Sequence, residues 1–220
     1  MKHIKEIVIL TLLFITPFLY SQAQEGARGY EEKGEELIQK ATEQITGYES
    51  LIIDFTYIVE DSGDVLETSQ GQTFLEGDKY YISVDAYEYT SDGETVWTCL
   101  KEVGEIHVNY TENLEQSLNP VHLLQDFQNH YKSKFIRQEE YTGETVSLID
   151  AIPNEPQAFH KYRVAVKEYD NSLAYIKAYD RHGGTYKISI DEIQKNPTIP
   201  AEKFSFDESE YQEMDIIDLR

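Results

Sequence analysis

Short segments of alternating apolar and polar residues recur along this chain, and they constrain its fold more than any other feature. The first, Leu51–Val59, has the two-residue period of a half-buried β-strand. Others follow at intervals of about ten residues, separated by turns such as "EDSGD", "EGD" and "DRHGG". They lie at Gln72–Glu76, "KYYISV", "TVWTCL", "IHVNY", Phe135–Arg137, Thr145–Ile149, His160–Val166, Leu173–Tyr179 and Thr185–Ile190, with short runs at Phe204–Phe206 and Met214–Leu219. This spacing indicates an antiparallel meander rather than βαβ units.

Two segments break the strand pattern and predict amphipathic helices. Tyr30–Gly47 begins with a run of glutamates that complements the helix dipole, and it carries a narrow apolar stripe. The second segment, "NPVHLLQDFQNHYK", has Pro120 in its first turn and apolar residues on one face. The stripes consist of Leu37, Ile38, Ala41 and Ile45 in the first helix and Leu123, Leu124, Phe127 and Tyr131 in the second. Stripes this thin need a partner surface, so we expect both helices to lie on a curved sheet.

The first residues predict a secretory signal peptide. "MKHIK" is basic, residues 7–20 are almost entirely apolar, and Ser21 and Ala23 provide small residues for cleavage. The apolar run is too short for a membrane span, which needs about 20 residues. We therefore expect a signal peptide at 1–23, cleavage near Ala23, a periplasmic location and one domain at 24–220, because no linker or repeat divides the chain.

Charge and cysteine content exclude several classes of partner and fold. Without residues 1–23 the chain keeps 17 Lys and Arg against 40 Asp and Glu, a net charge of −23. We expect no nucleic-acid partner, since binding phosphates needs clustered Lys and Arg, and the acidity also disfavours anionic membrane surfaces. A single Cys cannot form an intramolecular disulfide, so the domain must depend on its hydrophobic core.

No constellation of catalytic residues is visible in the sequence. Cys99 lacks the neighbouring base and oxyanion loop of a nucleophile, and we interpret it as a small apolar strand residue. Trp97 lies two residues away, so both side chains should share one strand face. His122 and His130 share a predicted helix but point about 80° apart, which does not suit a metal site. We expect no enzyme, no metal and no cofactor, although scattered carboxylates leave a glycosidase open.

The order of these elements resembles the LolA-like family of periplasmic outer-membrane lipoprotein carriers. The resemblance covers essentially the whole chain after the signal peptide. It rests on five segments in order: "ITGYESLIIDFTY", "GQTFLEGDKYYI", "SDGETVWTC", "NPVHLLQDF" and "FSFDESEYQEMDIIDLR". The order of the segments carries the resemblance, since no single motif is specific.

This resemblance implies a mainly β fold with two or three helices, an incomplete antiparallel β-barrel of about 10–11 strands whose helices cover an apolar cavity. It implies acylated lipoproteins or other lipid-like cargo as partners, shielded on the way to the outer membrane, with an inner-membrane release complex and an outer-membrane acceptor. We expect a monomer. Well-known carriers hold the helical lid with an Arg, whereas this chain has Glu76, Gly77 and Asp78 in the corresponding region.

We predict that the cavity lining includes Phe55, Tyr57, Phe74, Tyr80, Trp97, Leu124, Phe127, Ile176 and Ile188. The competing interpretation is that each of these residues lies in a closed hydrophobic core. The sequence also does not fix which strand face is inside. Burying a 16-carbon chain is worth roughly 12 kcal/mol before costs, so a carrier should bind loosely enough to release it. The alternative function is a non-catalytic envelope interaction or sensor module that binds a protein partner in the same cradle, with salt-dependent affinity.

Overall fold

The computed structural model describes residues 28–85, 87–113 and 120–220 of the 220-residue chain. The expected signal peptide and its cleavage site lie outside these residues. Within them, the strands are β1 Ser50–Asp61, β2 Asp64–Glu76, β3 Lys79–Val84, β4 Tyr87–Ser91, β5 Thr95–Leu100, β6 Glu105–Tyr110, β7 Tyr131–Tyr141, β8 Glu144–Pro153, β9 Phe159–Lys167, β10 Leu173–Asp180, β11 Gly184–Lys195 and β12 Asp215–Asp218. The helices are α1 at 28–46 and α2 at Pro120–His130, and short 3-10 turns lie at Thr111–Asn113, Ala201–Phe204 and Glu208–Tyr211.

All twelve described strands belong to one open sheet. Its order is β12-β6-β5-β4-β3-β2-β1-β11-β10-β9-β8-β7, so β12 and β7 are its edges. Neighbours run antiparallel except β12, which lies parallel to β6. The predicted meander is confirmed in two runs, β1–β6 and β7–β11, which meet where β1 pairs with β11. The sheet has more than the expected 10–11 strands because β4, a five-residue strand between two turns, was not predicted.

The hairpin of β1 and β2 extends further than the sequence predicted. Ser62 and Gly63 form its tight turn with φ of 53° and 95°, the left-handed conformations that a two-residue hairpin loop requires. Pairing then continues without a gap from Asp61 with Asp64 to Ser50 with Glu76, apart from a bulge near Glu60. Strand β2 therefore begins eight residues before the predicted Gln72.

The two faces of the sheet carry different covers. In β1, Leu51, Ile53 and Phe55 point to the face on which α1 and α2 lie, which we call the helix face. Ile52 and its cross-strand neighbour Phe74 point the other way. This second face carries residues 199–218, which we call the tail, and we call it the tail face.

The main hydrophobic core lies between the helix face and the two helices. The predicted stripe of α1 is buried in it, since Leu37, Ile38, Ala41 and Ile45 all belong to the core cluster. From α2, Leu124 and Phe127 enter the same cluster. The Phe127 ring packs against Tyr131 and Tyr162, with centroids 5.0 Å and 5.1 Å away. Both helices are confirmed, and each depends on the sheet for its apolar partner. The prediction that Tyr131 belongs to the stripe of the second helix is wrong, because α2 ends at His130 and Tyr131 begins β7.

Helix α1 approaches the backbone of edge strand β7 at Gly34. A Cβ atom at this position would lie 2.7 Å from the Phe135 amide nitrogen and 2.8 Å from the Lys134 Cα. The ring of Tyr30 stacks on Phe135 with centroids 6.1 Å apart, and the Lys33 ammonium lies 3.8 Å from the Phe135 centroid. The absence of a side chain at Gly34 therefore sets how closely α1 packs on the sheet.

The tail covers β3–β6 on the tail face. Phe206 stacks on Trp97 with centroids 5.6 Å apart, and Tyr211 stacks on Phe206 at 5.1 Å. The Lys203 ammonium lies 3.6 Å from the centroid of Tyr81. After this packed region, β12 joins the sheet edge beside β6.

The expected strand at Phe204–Phe206 is wrong. Ala201–Phe204 forms a 3-10 turn instead, in which the Lys203 amide donates to the Pro200 carbonyl at 3.0 Å. The turn buries Phe204 and leaves Phe206 to stack on the sheet. Phe204 and Phe206 therefore anchor a turn, and their alternation does not mark a paired strand.

We predict that Gly34→Ala destabilises the protein by about 1–3 kcal/mol, because the added methyl group collides with backbone atoms of β7 that cannot rotate away. Urea unfolding followed by circular dichroism measures this. The control is Gly29→Ala in the same helix, where a Cβ meets nothing within 4 Å. The control should be neutral or slightly stabilising, and equal destabilisation by both variants would contradict the close contact.

Candidate functional site

An apolar cavity lies between the helix face and the two helices. Its volume is about 130 Å³, counted as space open to the centres of water molecules, roughly ten times the space that one water needs. Its apolar lining consists of Ala41, Ile45, Tyr48, Leu51, Ile53, Phe55, Ile82, Leu123, Leu173, Ile176, Ile188, Ile190 and Ile193, and its polar lining of Gln44, Thr73, Ser172 and Lys195. Few polar groups reach this space, which suits an apolar ligand.

Strands β1 and β11 form the floor of the cavity. Between Asp54 and Phe55 their register shifts, so that Phe55 lies opposite Ile190. Such a bulge bends its strand and increases the local twist. The ring of Phe55 lies over Gly71 of β2, where any Cβ atom would collide with it. The bulge and Gly71 together fix Phe55 at one end of the floor.

The roof of the cavity is formed mainly by α1. Ala41 is only 1% exposed and lies in the lining, where its single methyl group fills less space than a larger side chain would. Helix α2 contributes Leu123. The packing of α1 is set at Gly34 and by its larger stripe residues, so the helix cannot settle further onto the floor at Ala41. The cavity therefore forms here because Ala41 is small and α1 is held at a fixed distance from the sheet.

Three of the residues predicted to line the cavity do so. Phe55 and Ile176 lie along its floor, and Ile188, which is 39% exposed, lies where the floor reaches solvent. Whether a ligand contacts them stays a prediction. Tyr57 points to the helix face beyond Phe55, outside the lining. Burial raises the pKa of Tyr57 to about 12, with a smaller contribution from the carboxylate of Glu67.

The other predicted residues do not line this cavity. Tyr80, Leu124 and Phe127 are fully enclosed in the hydrophobic core, which was the competing interpretation for each position. Phe74 and Trp97 lie on the tail face, under Lys203 and Phe206. These five positions are therefore corrected from cavity wall to core or tail contact.

Several lining residues were missed, and some of them carried a usable sequence pattern. Ile53 lies between Leu51 and Phe55 in the alternation of β1, so that one correct face assignment includes it. Ala41 and Ile45 were predicted to be buried but were not assigned to the cavity. Ile193 lies beyond the bulge, which breaks the two-residue period and removes the pattern that would have identified it.

Trp97 and Cys99 do share one strand face, but it is the tail face. The Cys99 sulfur lies 3.7 Å from the sulfur of Met214, and Cys99 is only 4% exposed. Burial raises the pKa of the Cys99 thiol, and the nearby Glu88 carboxylate raises it further. Such a thiol is a poor nucleophile. The pair therefore anchors the tail rather than forming a wall of the cavity.

A polar contact joins helix α2 to the turn between β2 and β3. The Asp78 Oδ1 lies 3.2 Å from Nε2 of His122. The Asp78 side chain is 77% exposed, so the contact is weak. Asp78 belongs to the segment in which the family resemblance placed a lid-holding Arg. Here the contact to the helix comes from a carboxylate and a histidine instead.

A family model described as "Outer membrane lipoprotein carrier protein LolA" matches residues 47–207, about three quarters of the chain. The match spans the floor of the cavity, α2 and the start of the tail. The chain belongs to the LolA family, as the order of its sequence segments indicated.

Individual relatives are distant. An outer-membrane lipoprotein carrier protein from Dechloromonas aromatica (strain RCB) is 28% identical over 116 residues, a match covering 52% of this chain and 54% of that protein. The chain thus spans about half the length of this curated relative. An uncharacterized conserved protein from Thermus thermophilus shares the fold, with a TM-score of 0.57, 6% identity, and coverage of 84% of this chain and 99% of that one. A LolA superfamily protein from Nitrosomonas europaea aligns with a TM-score of 0.42 and 10% identity, over 79% of this chain and 97% of that one.

Neither helix in the described part of the chain is long and apolar enough to cross a membrane.

We predict that Phe206→Ala shifts the fluorescence of Trp97, the only Trp of the chain, to longer wavelength and destabilises the protein by about 1–3 kcal/mol. Removing the stacked ring exposes the indole to water. The expected result includes faster reaction of Cys99 with a thiol reagent, since the same tail covers both residues. The control is Tyr30→Ala, which removes a stacked ring from the helix face and should leave the Trp97 spectrum unchanged. An unchanged Trp97 spectrum in Phe206→Ala would show that the tail does not lie over Trp97.

We predict that Asp78→Ala increases hydrogen exchange of the α2 amides by about two- to fivefold, because an exposed polar pair contributes roughly 1 kcal/mol or less. Exchange read by mass spectrometry measures this. The matched control is Glu76→Ala, which removes a nearby exposed carboxylate that faces Lys79 at 3.9 Å and not α2. If both variants leave exchange of α2 unchanged, the contact of Asp78 with His122 does not hold the helix.

Proposed function

We propose that this protein is a periplasmic carrier that shields the acyl chains of lipoproteins, or of similar lipid cargo, for transport towards the outer membrane. The observation that carries this proposal is the apolar cavity between the helix face and the helices, with one end open beside Ile188. Membership of the LolA family supports it. In this proposal the sheet acts as an incomplete barrel, and the helices act as its movable cover.

The size of the cavity agrees with a carrier that binds loosely. Space for roughly ten water molecules holds only part of a long acyl chain, so the helices must shift for the rest to enter. Each buried methylene contributes about 0.8 kcal/mol, and displacing the helices costs part of that gain. The resulting affinity would be moderate, which allows the cargo to pass to an acceptor.

The partners in this proposal follow from the family rather than from the cavity. An inner-membrane release complex would load the cargo, and an outer-membrane acceptor would receive it. A monomer suffices, because all of the cavity lining comes from one chain. A sensor module that binds a protein segment in the same cradle is the alternative, and a ligand lacking acyl chains distinguishes the two.

The test uses a fluorescent diacylated lipopeptide and the same peptide without its acyl chains, offered to protein freed of lipid. We expect uptake of the lipopeptide with about one site and none of the bare peptide. Equal binding of both peptides would favour the sensor alternative. If properly folded protein takes up neither, the proposed function is wrong.

We predict that Ala41→Phe weakens lipopeptide binding at least tenfold, because the new ring occupies the space that the Ala41 methyl group leaves open. Fluorescence titration measures this. The control is Lys40→Phe, which adds the same ring one residue earlier on the exposed side of α1. Circular dichroism confirms that each variant is folded. Should Ala41→Phe fail to fold, Ile188→Glu places a charge at the solvent end of the cavity and should weaken binding as well.

A further inference from the structure

The single charged residue of the cavity lining lies at one end of the floor. Lys195 lies opposite Leu51, at the start of β1, and is the only charged residue in the lining. Tyr48 and Ser172 line the same end. From there, the floor runs along β11 for seven residues to Ile188, a distance of roughly 23 Å. The cavity is therefore an elongated apolar space with a solvent-exposed cation at one end and the exposed Ile188 at the other.

Lys195 is held in place without being neutralised. Its ammonium lies 4.9 Å from the centroid of the Tyr48 ring. A hydrogen bond with Tyr48 raises the pKa of Lys195, and the Asp170 carboxylate makes a smaller contribution. Asp170 is engaged elsewhere, since it accepts from the Ser172 hydroxyl at 2.6 Å and from the Ser172 amide at 3.0 Å. Among the described residues, no carboxylate forms a salt bridge with Lys195, so its charge can pair with a ligand.

We propose that this end of the cavity binds the anionic head of a single-chain amphiphile, a carboxylate or a phosphate, while the chain extends along the floor towards Ile188. The proposal rests on the proposed function and narrows its ligand class. Acyl chains joined to a lipoprotein by ester or amide bonds carry no charge at the bond, whereas a free fatty acid or an alkyl phosphate does. A cation beside an apolar cavity selects for such a head.

Because the chain as a whole is strongly acidic, any preference for an anionic ligand would point to a local cation such as Lys195. With a net charge of −22, the protein repels anions at most of its surface. A preference for an acid over its neutral analogue would therefore have to arise from a local cation. The Lys195 ammonium can donate to an oxygen anion, and because Lys195 is solvent-exposed the resulting charge pair is worth up to about fivefold in affinity.

The experiment compares three ligands with the same 12-carbon chain: dodecanoate, dodecyl phosphate and dodecanol. Each displaces the fluorescent lipopeptide from the protein at pH 8, where both acids are charged. We expect the two anions to bind about threefold to fivefold more tightly than dodecanol. The stronger of the two anions identifies the headgroup that the site prefers. Equal binding of all three ligands would overturn the proposal but leave the carrier function intact.

Variants assign the preference to one residue. In Lys195→Met, which keeps a side chain of similar length, the preference for anions should disappear while dodecanol binds unchanged. Lys195→Arg should keep the preference. The control is Lys187→Met, which removes the same charge from the same strand on the tail face, where the Lys187 ammonium lies 4.5 Å from the ring centroids of Tyr141 and Tyr175. If Lys187→Met abolishes the preference as completely as Lys195→Met does, the effect is general electrostatics and the proposed site is wrong. Weak displacement by every ligand in a protein that still binds the lipopeptide would also overturn it.

Discussion

Apolar side chains on both faces of an open sheet require two separate covers, and the rest of this structure depends on that requirement. In β1 alone, Ile52 and Ile53 point to opposite faces. A closed barrel would bury one set by joining its edges, but β12 and β7 do not pair in the described chain. The helices therefore cover one face and the tail covers part of the other. Both covers stabilise the fold, because each buries large side chains that would otherwise be exposed to water.

The dimensions of the covers explain why one face contains a cavity. Twelve strands span roughly 53 Å across the sheet. Helix α1, at 28–46, is about 28 Å long, and the eleven residues of α2 give about 16 Å. Each helix is only about 10 Å wide, so the two cannot cover the helix face completely. On the tail face, the irregular path of the tail lets aromatic rings such as Phe206 and Tyr211 fit the surface closely. The two helices are rigid and cannot adapt to the bent sheet in that way.

The sequence predicted the elements of the fold well and the faces of the sheet poorly. Strand positions follow from alternation and turn residues, which are local, and only the short β4 was missed. The alternation predicts that Trp97 and Cys99 share a face, but it does not predict which face is inside. That choice depends on what covers each face, and the tail that covers Trp97 is more than 100 residues away along the chain. The cavity depends further on Ala41 and the bulge at Asp54, which are details of packing and register. Lys195 was not predicted because a lone lysine near the end of a strand resembles any other surface lysine.

The two helices are attached to the sheet in different ways, and this difference determines which one can move. Helix α1 contacts the β7 backbone at Gly34, and only three residues separate its end from β1. Helix α2 is fixed near its end by the packing of Phe127 between Tyr131 and Tyr162, but at its start the polar contact is the weak pair of His122 and Asp78. Leu123, the residue of α2 that lines the cavity, lies at this loosely held start. A rotation of α2 about its aromatic end would enlarge the cavity and withdraw Leu124 from the core, whereas moving α1 would expose Ile38 and its whole stripe. In the proposed carrier function, displacing the start of α2 would cost less than displacing α1, so the affinity for cargo would depend on that cost.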